Sequence, residues 1–231
     1  FANDKGNATV FFSYKKDHPV LQDSYDYSKC ALTANTDGSY TCGGSSTSNF
    51  ARIRQILPSG AFGPSRTPAD AAGNMRPFNN ATDLFNFAPY NYFQRPSERY
   101  GVAAFAHYDI TKAARLYTEF SFHDDHTDAQ IAPSGAFGNI VTVGFDNPFL
   151  SPSFRQQLGL TAPGQTADLL VQRRNVEGGG RDDDIRHTSY RTVVGVKGDV
   201  LRDWSYDVFM QTAKVIYQEV YRHDFSNRRL A

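Results

Sequence analysis

The chain has 231 residues and balances 24 Lys and Arg against 24 Asp and Glu, so no net charge draws it toward nucleic acid. Mean hydropathy is −0.51, and no apolar run approaches the ~18 residues that a spanning helix needs. A helical membrane protein is excluded, but a barrel is not, because half the residues of a barrel strand face a wet lumen.

The chain opens at Phe1 without a Met or a signal-like segment and closes at Arg228-Arg229-Leu230-Ala231. It is read as a mature product or an excerpt of a longer receptor. From Asn7 to Lys16, Val10, Phe12 and Tyr14 alternate with Thr9, Ser13 and Lys15, the period-two pattern of a strand with two unlike environments. Cys30 and Cys42 then sit among Gly, Ser, Thr and Asn, the composition of an exposed loop. Two cysteines so placed predict a disulfide formed outside the cytoplasm. Ser45 to Leu57 alternates more weakly and reads as a hairpin within a loop. Asp17 to Ser97 as a whole reads as a long irregular connection.

Arg99 to Asp109 places Tyr100, Val102, Ala104, Ala106 and Tyr108 together, opposite Arg99, His107 and Asp109. Arg115 to His123 sets Leu116, Thr118, Phe120 and Phe122 against Arg115, Glu119, Ser121 and His123. The segment I-T-K-A-A joins these two strands. A second long irregular stretch, Asp124 to His187, follows. The hexapeptide P-S-G-A-F-G occurs at Pro58–Gly63 and again at Pro133–Gly138 with unlike flanks, which argues for shared turn chemistry or chance rather than a repeat array. The last hairpin, Tyr190 to Tyr217, turns at Gly198–Asp203. Tyr190, Thr192, Val194 and Val196 share one face of its first strand, and Trp204, Tyr206, Val208 and Met210 alternate with Ser205, Asp207 and Gln211 on the second.

Runs of about ten residues with Tyr or Trp near their ends have the form of transmembrane β-strands. Short turns at one end and long loops at the other are the asymmetry of outer-membrane barrels. The expected fold is therefore all-β, an antiparallel transmembrane β-barrel segment with short periplasmic turns and long extracellular loops.

Several segments resemble the barrel of a TonB-dependent outer-membrane receptor: N-D-K-G-N-A-T-V at Asn3–Val10, D-Y-S-K-C-A-L at Asp26–Leu32, and F-N-F-A-P-Y-N-Y-F-Q-R-P-S-E-R-Y at Phe85–Tyr100. Y-T-E-F-S-F-H-D-D at Tyr117–Asp125, D-N-P-F-L-S at Asp146–Ser151 and V-K-G-D-V-L-R-D-W-S-Y-D-V at Val196–Val208 are similar to it as well. The resemblance implies that residues 1–231 are part of such a barrel, in the bacterial cell outer membrane, without its plug and C-terminal strands. It implies import of a scarce nutrient, such as a siderophore-type iron complex, cobalamin or an oligosaccharide. Its partners would be that ligand, outer-membrane lipid, and the energy-coupling protein TonB through a missing N-terminal region.

Inward-facing and loop-facing groups touch solute in a transporter. That nominates Arg115, Glu119, His123 and Arg191 on strands, and Tyr90, Tyr92 and Phe93 in a loop, as ligand-binding residues. A polar lumen wall has the same residues whatever its cargo. In His123-Asp124-Asp125-His126-Thr127-Asp128, alternation places His123 and Asp125 on one face, a donor pair suited to a divalent metal. A solvated strand tip has the same composition, and no metal or other cofactor is assigned. Asp182-Asp183-Asp184 after Gly178-Gly179-Gly180 reads as a flexible acidic loop, not a phosphate or calcium loop. No nucleophile elbow, H-E-x-x-H or C-x-x-C occurs; no catalytic residue is nominated and enzyme activity is not expected. The rival reading is a soluble or secreted β-rich carbohydrate-binding module that uses its loop aromatics.

Overall fold

A computed structural model describes residues 1, 4–226 and 228. Asn3 of the first family-like segment and Arg229-Leu230-Ala231 lie outside the described residues. The protein is all-β, 59% strand against 7% helix, and its sheets are antiparallel; no closed barrel is present among the described residues. Two compact units are formed, one from Phe1–Val20, Gln94–Ala129 and Asp183–Val220, the other from Leu21–Phe93, Gln130–Asp182 and Tyr221–Ala231.

In chain order the strands are β1 (Gly6–Asp17), β2 (Val20–Leu21), β3 (Leu32–Ala34), β4 (Tyr40–Cys42), β5 (Arg52–Ile56), β6 (Arg66–Pro68), β7 (Met75–Pro77) and β8 (Tyr92–Gln94). Then come β9 (Ser97–Thr111), β10 (Ala114–Pro133), β11 (Gly135–Gly144), helix α1 (Pro152–Gln157), β12 (Thr166–Arg174), β13 (Gly180–Leu201) and β14 (Trp204–Arg222).

The first unit is built on one sheet in the order β1-β9-β10-β13-β14. Its register places Val10 opposite Ala104, Phe12 opposite Val102 and Tyr14 opposite Tyr100. On the other side of β9, Leu116 faces Tyr108, Phe120 faces Ala104 and Phe122 faces Val102. Because side chains alternate with period two, these pairs collect the apolar residues on one face, as the alternation predicts. The opposite face is tied together by polar contacts. The Tyr117 hydroxyl donates to Asp207 at 2.7 Å, and Arg191 donates to Glu119 at 2.8 Å and to Gln211 at 2.9 Å. Those contacts fix the faces of β13 and β14 too. Tyr190, Val194 and Val196 lie with Val208 and Met210 on the apolar side.

The strands run from 12 to 22 residues, well beyond the ten or so expected from the hydrophobic runs. The turns shrink correspondingly. Gly198 to Leu201 stays in β13, and only Arg202-Asp203 separates it from β14; Lys112-Ala113 separates β9 from β10. Two-residue connections match the right-handed twist of the strands they join, so the ladder closes further than the turn-forming glycine at 198 suggests. Gly195 has a separate job. A β-carbon there would lie 2.5 Å from the Tyr117 ring, so only glycine lets that ring lie across β13.

The long stretches expected to be irregular are instead ordered, and this is the main correction. Residues between Asp17 and Ser97 and between Asp124 and His187 supply a second sheet, β11-β12-β5-β6-β7. Ser45 to Leu57 is no hairpin of its own; its β5 pairs with β12, Leu170 opposite Arg54. Gly180 to Asp184, expected as an acidic loop, is the start of β13. The core that holds this unit is Leu150, Phe154, Leu158, Leu160, Ala167 and Leu169, with Ile53, Val141 and Val171 packed against it. The helix supplies Phe154. Ser151 caps it by accepting the Phe154 N–H at 3.2 Å, and Pro152 occupies its first turn, where its missing donor costs nothing. The two copies of P-S-G-A-F-G adopt unlike conformations. The first makes a tight turn in which Gly60 has φ +81° and the Leu57 N–H donates to Ala61; the second joins the ends of β10 and β11.

Cys30 and Cys42 form a disulfide with Cα atoms 5.5 Å apart. It clamps the small β3–β4 ribbon, where Leu32 faces Cys42, and with a separation of 12 residues the constraint is worth up to ~3 kcal/mol in the chain-entropy model.

Leu169 is 3% exposed in the second unit's core, whereas Met210 is 78% exposed on the first sheet. Leu169→Ala is expected to lower unfolding stability by ~2–5 kcal/mol in a denaturant titration of the second unit's signal, and Met210→Ala is expected to leave that signal unchanged.

Candidate functional site

The four strand residues nominated from the sequence lie along the polar face of the first sheet, but they do not converge on one point. Arg115 pairs with Asp109 through its Nε, with a second contact from its outer guanidinium nitrogen at 3.0 Å. Glu119 and Arg191 pair with each other at 2.8 Å. His123 stands opposite Gly101, where a β-carbon would come within 3.2 Å of its Nδ1. It lines a hollow of about 330 Å³ with Ser13, Lys15, Arg99 and Asp125. Asp125, on the same face as His123, is engaged by Arg99. A second hollow, about 870 Å³, opens on this face near the turns and is lined by Lys5, Asp109, Arg115, Lys197, Asp199 and Asp207. Paired opposite charges along the whole face make a polar surface with little net field.

Tyr90 and Tyr92 belong to the second unit. Tyr90 ends a short 3-10 turn, Ala88–Tyr90; its ring stacks on Phe85 at 5.6 Å, and its carbonyl accepts from Gln130 at 3.0 Å. Tyr92 begins β8 and is half-buried. The rings that face solvent are neighbours. Tyr25, Tyr27 and Phe93 form a mutual cluster, with centroids 5.3 to 6.1 Å apart, and each ring remains well exposed. Tyr25 and Tyr27 stand outside the residues nominated as ligand-binding, since nothing local in S-Y-D-Y points to Phe93. Only chain reversal brings Phe93 beside them. Three packed, exposed aromatic faces form a platform on which a sugar or planar ring can stack.

The second unit also holds two buried charges. Arg174 is 4% exposed. It lies over the rings of Phe85 and Phe137 at 5.1 and 5.0 Å and donates to the Pro133 carbonyl at 2.8 Å. Burial lowers the affinity of its guanidinium for its proton, and the ring faces and backbone oxygens offset that cost. Asp83, 3% exposed, accepts two hydrogen bonds from Arg76 at 2.7 and 2.8 Å and one from the Asn79 N–H at 2.7 Å. The Arg76 contact above all holds its carboxyl down at about 2. Both groups are structural.

At the far end of the first sheet another constellation appears. The His126 Nε2 lies 2.8 Å from Asp184 and 3.8 Å from Asp128. His126 and Asp128 come from the same H-D-D-H-T-D run, three residues beyond His123 and Asp125 and so on the opposite face of β10, and Asp184 comes from β13. Comparison with protein-family models, with curated proteins and with solved structures finds no match for this chain.

Because the Asp83 carboxyl is depressed in the folded state, its stabilisation is fully present above the unfolded value near 4 and is lost as pH falls toward 2. Asp83→Asn should cost about 1–2 kcal/mol at pH 7, part of the gain being screened by the half-exposed Arg76. The difference between the two proteins in urea titrations should shrink as pH falls from about 4 toward 2 and vanish only below the folded value.

Proposed function

We propose that the sheet of β1, β9, β10, β13 and β14 is part of the transmembrane wall of a β-barrel in the bacterial outer membrane, in an active-import receptor of the TonB-dependent kind. The observation that carries this reading is a single-layer sheet whose apolar face has no protein layer on it. Phe12 is 73% and Val208 69% exposed. A sheet with one apolar face has to bury it against something, and lipid hydrocarbon takes that area out of water at no cost in hydrogen bonds, because every interior strand is paired on both sides.

The dimensions support it. From Tyr108 to Tyr100 the apolar face of β9 covers eight residue steps, about 27 Å along the strand at ~3.4 Å each. With the usual tilt of 35–45° that is about 20 Å across the bilayer, close to the ~25 Å band that aromatic girdles flank. Aromatics stand at both ends: Phe1 stacks on Tyr108 at 6.4 Å, and Tyr14 meets Tyr100 at 5.1 Å. Past Tyr100 the same face turns charged, with Glu98, Asp124, His126 and Arg186, as strands do where they leave hydrocarbon. Among the described residues β1 and β14 each have a neighbour on one side alone. Closing the wall calls for further strands at both edges.

In this reading the polar ladder of Arg115–Asp109 and Glu119–Arg191 faces the lumen. Tyr25, Tyr27 and Phe93 offer the aromatic surface for a nutrient such as an iron chelate, cobalamin or an oligosaccharide. Energy coupling through TonB would fall to a segment outside these 231 residues. The exposed aromatic cluster on a unit with its own core also favours a second reading, a soluble β-rich carbohydrate-binding module.

Charge placed on the two faces separates the readings. In a membrane-assembly titration Val194→Arg is expected to cost ~2–4 kcal/mol and Ser121→Arg, on the polar face, far less. Equal tolerance, together with a compact monomer in buffer without detergent, would establish the soluble module instead; Val194 is 47% exposed, and in water such a change stays within about 0.5 kcal/mol.

A further inference from the structure

We infer that His126, Asp128 and Asp184 form a binding site for a divalent first-row transition cation such as Zn²⁺. One atom from each, the imidazole nitrogen and two carboxylate oxygens, lies within 4.8 Å of the others. The site follows from register rather than from a loop. His126 and Asp128 are two residues apart on β10 and so project from the same face, and β13, the neighbouring strand, brings Asp184 alongside. The β9–β10 pairing runs without a register shift through Asp124, Asp125, His126 and Thr127, so His126 is held on a hydrogen-bonded ladder.

The spacing suits a metal. Two ligands each ~2.1 Å from a tetrahedral ion stand about 3.4 Å apart, and the His126 nitrogen lies 2.8 and 3.8 Å from its two carboxylate partners. Small rotations about the side-chain torsions centre an ion among all three. The surroundings suit a cation as well. Glu98 stands directly opposite His126, and Asp124 lines the same hollow of about 390 Å³. Arg186 also reaches this hollow, but Asp124 holds it through contacts of 3.0 to 3.2 Å. The positive Lys16 leans on Glu98 at 3.7 Å. The donor set decides the class: imidazole favours zinc, nickel, copper and iron over calcium or magnesium, which take oxygen alone. Three protein ligands leave a fourth position for water or for a donor from a bound ligand. The inference does not rest on the membrane reading, since the same three side chains converge whichever solvent covers the sheet.

Isothermal titration of the full chain with ZnCl₂, in the detergent or buffer that keeps it folded, tests the site. One saturable equivalent is expected, with affinity reduced on the order of tenfold or more by His126→Gln and by Asp184→Asn. His123→Gln, which changes a histidine of the same run outside the site, should bind as the parent does. X-ray absorption of the zinc-loaded protein should show mixed nitrogen and oxygen ligation with a single imidazole. Absence of a saturable equivalent in the parent chain overturns the proposal, and so does equal weakening by His123→Gln and His126→Gln. The parent titration and the absorption spectrum stand even where a variant fails to fold.

Discussion

The register between β9 and β10 is the constraint on which most of this protein depends. Leu116, Phe120 and Phe122 of β10 meet Tyr108, Ala104 and Val102 of β9, while Arg115 meets Asp109 and Asp125 meets Arg99. A slip of one residue would push Leu116, Phe120 and Phe122 among Arg99, His107 and Asp109 and leave charges on the opposite side. β1 copies the same register on the far edge of β9, and β13 joins through Thr118, whose hydroxyl donates to the Val193 carbonyl at 2.9 Å. The faces of the whole sheet descend from that one alignment.

Two unlike economies follow in the two units. The second buries its apolar residues against itself, with α1 and β12 sandwiching Leu150, Phe154, Leu158 and Leu169. The first leaves its apolar face outward and spends its internal contacts on the polar side, where Tyr117–Asp207, Arg115–Asp109 and Glu119–Arg191 neutralise one another. The two faces of that sheet thus suit unlike surroundings. That inequality drives the proposal of a membrane wall. The second unit, with a core of its own, buries Arg174 and Asp83 among partners that satisfy them without any appeal to a site.

Legibility differed by the kind of signal. Strand alternation in Asn7–Lys16, Arg99–Asp109, Arg115–His123 and Tyr190–Met210 is a local property, and those residues take the faces that their period assigns. The disulfide was legible because both cysteines sit in a polar stretch and no other cysteine competes. The second sheet was not. Ile53, Leu169 and Leu150 lie far apart in the chain, its strands β5, β6 and β7 are three to five residues long, and so short a run shows no period. Gly, Pro and Asn around them read as loop although they serve as the turns between strands.

Sequence alone determined the all-β class, the cysteine pair and which residues share a strand face, since alternation and turn residues act within a few positions of each other. Tertiary structure decided everything that needs two distant segments to meet. It drew Phe93 to Tyr25 and Tyr27, turned two supposed loops into a packed unit, and paired Asp125 with Arg99. It also brought His126, Asp128 and Asp184 together from two strands. Ligand geometry depends on which strands are neighbours, and neighbours in a sheet are set by hydrogen-bonded pairing across gaps of tens of residues, about which the local pattern carries no information.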